Sequence, residues 1–224
     1  MKSFLVASLL LLVPQLASTQ ISFDAGTGVL KGFGAPKSFA NLHLGIEVPR
    51  STDQSVYGRF SYFFPVTEKN LVSQVYTNNL SINPYTLDVN FNRTTNYTLF
   101  EGGTRKYIGN DFDYGFSGYS GTNIMVIVNK VKNEYSTTAL SGQNWESNYS
   151  LEPDLKEREG TVLSIAVGLQ AGIKYTFPAI GTVYADLSGQ YLLFGQASNK
   201  TAFSSGLLSN IFVIFNVGFR KDLY

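Results

Sequence analysis

The chain has 224 residues, a formal net charge of +1, one histidine and no cysteine. That length suits one domain once a targeting segment is set aside, and the near-zero charge gives no electrostatic case for nucleic acid. Without cysteine there are no disulfides and no lipoprotein acylation site, and a lone histidine excludes the usual zinc and iron–sulfur ligand sets. Charged residues are only 15%, whereas Tyr and Phe number 14 and 17. An average soluble domain carries about 25% charged residues, so the composition suits a barrel facing lipid or a secreted β-sandwich.

Met1-Lys2-Ser3 is a short basic start, Phe4 to Val13 is apolar, and Pro14 breaks the run. Ala17-Ser18-Thr19 places small residues where a signal peptidase reads them, so cleavage is expected before Gln20. The apolar run is too short to span as a helix, which needs about 20 residues. No later stretch is long and apolar enough either. If the chain enters a membrane, it must do so as a closed barrel, because open sheet edges cannot be left in hydrocarbon.

Gln20 to Lys37 is Gly-rich and weakly patterned and is expected to be a periplasmic leader. Phe39 to Val48 alternates, with Leu42, Leu44, Ile46 and Val48 opposing Asn41, His43, Gly45 and Glu47. That period of two is a β-strand with one oily and one polar face. Pro49 to Gln54 reads as a turn, and Val56 to Phe64 returns with Phe60, Tyr62 and Phe64 against Arg59 and Ser61. Pro65 to Asn70 reads as a further turn. Leu71 to Asn92 is interrupted at Asn83-Pro84, and its second half sets Tyr85, Leu87, Val89 and Phe91 against Asp88 and Asn90. Arg93 to Asn96 reads as a short loop.

Tyr97 to Ile108 has two readings. Tyr97 and Leu99 share parity with Glu101 and Arg105, so either Phe100 and Ile108 face out, or Gly102-Gly103 is a bulge that switches faces. Gly109 to Gly121 reads as a turn region, Thr122 to Val131 as a strand, and Lys132 to Gly160 as the longest unpatterned stretch. Thr161 to Phe177 alternates cleanly, with Leu163, Ile165, Val167, Leu169, Ala171, Ile173, Tyr175 and Phe177 on one face. Pro178 to Gly181 supplies turn chemistry. Thr182 to Phe194 and Leu207 to Phe219 complete a set of about eight strands.

The expectation is an all-β, up-and-down antiparallel transmembrane barrel, with a signal peptide at 1–19, a periplasmic leader at 20–37 and the barrel at 38–224. Bacterial barrels have long outer loops and short periplasmic turns. Lys132–Gly160 and Gly195–Gly206 are therefore expected outside, and Pro178–Gly181 in the periplasm. Phe63, Phe64, Tyr175, Phe177 and Phe219 are expected as an aromatic girdle at the periplasmic rim. His43, Glu47, Arg59, Asp88, Lys174, Asp186 and Arg220 fall on inward parities. An eight-stranded barrel is filled by side chains rather than water, so these groups are expected as a polar network in the lumen. An Arg or Lys on the lipid face near the midplane would cost about 2–4 kcal/mol. The alternative use of the same groups is a narrow or gated solute path.

The signal segment, the alternating strands, the Phe177–Gly181 turn and the aromatic-rich end from Phe212 to Tyr224 resemble the small outer-membrane β-barrels of the OmpA/OmpX-like class. The resemblance covers Phe39 to Tyr224 and implies an outer-membrane anchor with extracellular loops. Members often end on an aromatic read by the assembly machinery. Here Tyr224 lies on the opposite parity to Phe215, Val217 and Phe219. The expected partners are outer-membrane lipid and a surface ligand or another outer-membrane protein, with no nucleic acid, no cofactor, no metal and no catalytic residue. Some small barrels are lipid hydrolases, and here such chemistry would have to use His43 as base, with Ser61 and Glu47 near it. The soluble β-sandwich is the third reading. Asp111 and Asp113 lack the full ligand set of a calcium loop and read as a solvated turn.

Overall fold

The computed structural model describes residues 21–32, 37–79, 81–109, 114–151, 158–198 and 210–223. The expected signal peptide, Asp111, Asp113 and Tyr224 lie outside the described residues. Eight strands form one closed antiparallel ring: β1 (Ile21–Gly32), β2 (Ser38–Pro49), β3 (Gln54–Tyr76), β4 (Thr86–Ile108), β5 (Gly115–Ala139), β6 (Glu159–Phe177), β7 (Gly181–Ala197) and β8 (Ile211–Leu223). Each pairs with its sequence neighbours, and β1 closes on β8.

The ring has a fixed stagger. Registered partners run from Ser22 through Glu47, Tyr57, Gly103, Asn123, Gly168, Gln190 and Phe212 back to Gly32, ten residues further along β1. Eight strands with that shear give a tilt of about 40° and a bore that side chains fill. Alternate residues therefore point into the bore or out of the wall.

Closure needs β1. Ile21–Gly32 is a strand, where the sequence reading expects a leader, and it pairs along its length with both β2 and β8. Its small inward residues hide the pattern. Gly26 and Gly28 face in, and an added Cβ at Gly28 would clash with the Asn216 side chain and the Phe215 carbonyl. With β1 in place, Ile21, Leu223 and the short turns after β2, β4 and β6 share one end of the barrel. The longer connections after β3, β5 and β7 share the other. This is the loop asymmetry of a barrel with a periplasmic and an outer end. The turn after β6 uses positive φ at Ala179 and Gly181.

Two further expectations change. Pro65–Asn70 and Arg93–Asn96 do not turn the chain, because β3 and β4 each run for 23 residues. Pro65 and the positive-φ Asn70 are absorbed as register shifts between Phe63 and Val66 and between Glu68 and Leu71. Between Tyr97 and Ile108 the register is continuous past Gly102-Gly103, so no bulge switches faces, and Phe100 and Ile108 face out.

The outward residues of the ring form an apolar belt. On β6 the run from Leu163 to Tyr175 covers thirteen residues with alternate apolar side chains pointing out, nearly all exposed. At about 2.5 Å of axial climb per tilted residue, the belt is about 30 Å tall, matching a hydrocarbon core. A sandwich would pack these faces on one another. Here they point away from the bore, which excludes the soluble sandwich. Leu169 is 68% exposed near mid-belt. Leu169→Arg is expected to cost about 2–4 kcal/mol of folding free energy in phospholipid vesicles, read by urea titration, as for a charge at the midplane of a lipid-facing wall. A change near zero would mean that this face meets water.

Candidate functional site

The bore is filled in two tiers. The tier nearer the periplasmic end is polar. Among the described residues it buries five carboxylates, Asp24, Glu47, Glu101, Asp186 and Asp222, and four cations, Arg59, Arg105, Lys174 and Arg220. Charges taken out of water are tolerable only when paired and hydrogen-bonded, and the clusters around Glu47 and Asp186 meet that condition. Glu47 accepts from Arg105 Nη1 at 2.6 Å and Arg220 Nη1 at 3.3 Å, and from the Ser55 and Tyr107 hydroxyls. Asp186 accepts from Arg59 Nη2 at 2.9 Å, from Asn216 Nδ2 at 2.9 Å and from Arg105 Nη2 at 3.4 Å. Arg105 therefore ties the two main anion clusters together, with its guanidinium 4.2 Å from the Tyr57 ring centroid. Glu101 accepts from Tyr57 Oη at 2.5 Å and Asn123 Nδ2 at 2.6 Å.

His43 belongs to this tier. It is 2% exposed, and its Nε2 lies 2.7 Å from Tyr184 Oη, which donates to Asp24 Oδ1 at 2.8 Å. Ser61, its register partner on β3, is buried as well. A base for lipid chemistry would have to meet lipid, and this imidazole points away from the wall that lipid touches. The aromatic side chains of the tier sit on glycines. A Cβ at Gly172 would lie 2.5 Å from Tyr119 Cζ, and one at Gly218 would lie 2.6 Å from Tyr184 Cζ.

The second tier is apolar. Leu30, Phe39, Phe63, Tyr97, Leu99, Met125, Ile127, Ala166, Phe212 and Ile214 form one buried cluster across the bore toward the outer end. It caps the charged tier like a lid.

Above the belt, β3, β4 and β5 continue as a three-stranded extension. The segment after β5 folds back on it, and Tyr76 and Ser150 exchange backbone hydrogen bonds of 2.8–2.9 Å. Val75, Leu87, Val89, Ala139, Trp145, Tyr149 and Leu151 make a second buried cluster there. Trp145 Nε1 donates to Ser136 O at 2.5 Å, and Tyr149 Oη to Pro84 O at 2.7 Å. This small head stands on the outer end of the barrel.

His43, Glu47, Arg59, Lys174, Asp186 and Arg220 lie in the bore. Asp88 does not. It is exposed on the outer face of the head, because above the lipid the alternation inverts and Leu87, Val89 and Phe91 turn inward. Tyr175, Phe177 and Phe219 are exposed on the wall near the periplasmic rim. Phe64 is exposed too, but Asn41 on β2 registers with its neighbour Phe63, which places it toward the outer end. Phe63 is fully buried in the apolar lid and belongs to no girdle. Sequence reading missed Asp24, Tyr57, Glu101, Arg105, Tyr107, Tyr119 and Tyr184. Asp24 fell in the presumed leader and Arg105 in the ambiguous stretch. Tyr57, Tyr107, Tyr119 and Tyr184 were assigned to no site, although their hydroxyls serve carboxylates.

A closed eight-stranded ring with an apolar outer wall and a filled bore decides the architecture. It is that of the small outer-membrane β-barrels. No protein-family model matches the sequence, and no curated protein matches it. Among solved structures, the chain is similar to Neisserial surface protein A, with 11% identity over 90% of this chain and 95% of that one and a TM-score of 0.47. The N-terminal β-barrel domain of Pseudomonas aeruginosa OprF gives 13% identity over 91% and 100%, with a TM-score of 0.43. Ail, the attachment invasion locus protein of Yersinia pestis, solved with the heparin analogue sucrose octasulfate, gives 15% identity over 91% and 97%, with a TM-score of 0.41.

Removing one member of a buried charge cluster strands the rest. Arg105→Leu is expected to lower unfolding free energy by about 3–5 kcal/mol in urea titration of vesicle-bound protein. A loss below about 1 kcal/mol, the level of an exposed pair, would contradict the buried network.

Proposed function

We propose that this chain is a non-enzymatic outer-membrane anchor that presents its outer end, and above all its head, to a surface ligand or another outer-membrane protein. Residues 1–19 then act as a cleaved export signal. The observation that carries the reading is the division of labour along the barrel axis. The lipid-embedded part has its bore packed by a charged tier under an apolar lid, which suits an anchor better than a solute path. The part beyond the lipid has its own small core, and large apolar side chains remain exposed on it.

Val72, Tyr76, Tyr85 and Leu140 are those exposed side chains. Val72 registers with Asn90 and Tyr76 with Thr86, while Leu140 N donates to Asp88 O at 2.9 Å, so three of them share the outer face of the β3–β5 extension. A patch of aromatic and aliphatic groups mixed with Asp88, Asn90 and Gln74 is interface-like. A hydrolase is disfavoured because His43 is sealed in the bore.

Two measurements test this reading. In planar bilayers the folded protein is expected to add no steady conductance above baseline, and a regular open channel would contradict the anchor. On cells, Tyr76→Ser with Leu140→Ser is expected to abolish adhesion to immobilised host-matrix or polysaccharide surfaces that the parent chain confers, with unchanged surface level. Adhesion that survives in a correctly inserted variant, or that the parent never confers, would contradict the role of the head.

Trp145 is the only tryptophan in the chain and lies on the order of 20 Å beyond the belt. Its fluorescence is expected to be insensitive to brominated acyl chains in proteoliposomes. Strong quenching would place this segment in the bilayer and remove the head.

A further inference from the structure

The belt is apolar around most of the ring, but not on β4 and β5. Between Ile108 and Phe116 at the periplasmic rim and Phe100 and Ile124 nearer mid-belt, the outward side chains are Thr104, Lys106, Ser120 and Thr122, all exposed. They are contiguous. Lys106 registers with Ser120, and Thr104 Oγ1 lies 3.4 Å from Thr122 Oγ1. The outward positions beside them are bare, with Gly58 opposite Gly102 in register and Gly118 opposite Ile108. Their depth is set by β6, where Ser120 pairs with Ala171 and Thr122 with Leu169, inside the apolar run. The patch therefore lies in the periplasmic half of the hydrocarbon. At similar depth on the far wall, β7 and β8 present Leu187, Val217 and Phe219.

Lipid tails offer nothing to three hydroxyls and an ammonium group, so such groups on a membrane-embedded wall call for a protein partner. Glycines beside them let another backbone come close. Insertion fixes the depth and direction of every copy of the chain. A two-fold axis along the membrane normal therefore brings the same patch of a second copy to the same depth. Serine and threonine hydroxyls both donate and accept, so the patch is its own complement, and each Lys106 finds hydroxyl acceptors across the axis. We propose that Thr104, Lys106, Ser120 and Thr122 are the contact face of a homodimer within the membrane, an isologous interface in which the same surface serves both copies.

The lack of native cysteine makes the test clean. Ser120→Cys and Val217→Cys variants, folded into phospholipid vesicles and treated with a short membrane-permeable bis-maleimide, are compared on a gel. The expected result is a cross-linked dimer from S120C and only background from V217C. Adding Thr104→Val, Lys106→Leu and Thr122→Val to S120C is expected to reduce its dimer to the V217C level. These apolar changes suit a lipid-facing wall, so the variant is expected to stay folded, which the mobility difference between boiled and unboiled samples checks. Equal cross-linking from both walls, or no S120C dimer from folded protein, overturns the proposal. So does S120C cross-linking in whole outer membranes to a different protein only, which would assign the patch to another partner.

Discussion

The structure depends on one constraint: in hydrocarbon, a backbone N–H or C=O without a partner has no water to turn to. For a chain with no helix long enough to cross among its described residues, the solution is a sheet with no edge. β1 meets that need by pairing with β2 on one side and β8 on the other. Once eight strands close with a shear of ten residues, the bore is too narrow to hold bulk water, and its contents must be side chains. The interior follows from closure.

What fills the bore is unlike a soluble core. Glu47, Asp186, Arg59 and Arg105 are costly to bury and are held by one another and by tyrosine hydroxyls. Each of them comes from a different strand, so the cluster also ties the ring across its diameter. Breaking it leaves uncompensated charge, whereas keeping it adds register specificity, because a strand shifted by one residue would send its charges into lipid. The apolar lid around Phe63 and Tyr97 separates this cluster from the outer end.

The fold was legible where one rule applied throughout. Apart from the inward Ala166, β6 keeps apolar side chains out and polar or glycine positions in from Leu163 to Phe177, and it reads at once as a wall strand. The rule fails where the chain leaves lipid. On β4 the inward parity never changes, but Leu87 and Val89 face in above the belt while Glu101 and Arg105 face in within it. Water has replaced lipid outside, so the same strand switches from membrane to soluble patterning, and Asp88 was assigned to the wrong side. β1 was missed for another reason. Its inward glycines and Thr27, outward among apolar neighbours, erase the alternation that exposes a strand to sequence reading. The tyrosines of the charged tier were hidden because an aromatic ring carries no sign of which wall it faces.

The ring is closed and sits in lipid, and the electrophoretic mobility of the protein refolded in phospholipid vesicles reports on both. Run in SDS without boiling, a closed barrel resists the detergent, stays compact and migrates differently from the boiled chain. That mobility difference is expected together with recovery in the membrane fraction. Identical mobility of boiled and unboiled samples, with recovery of the protein from the soluble fraction, would contradict a closed ring in lipid.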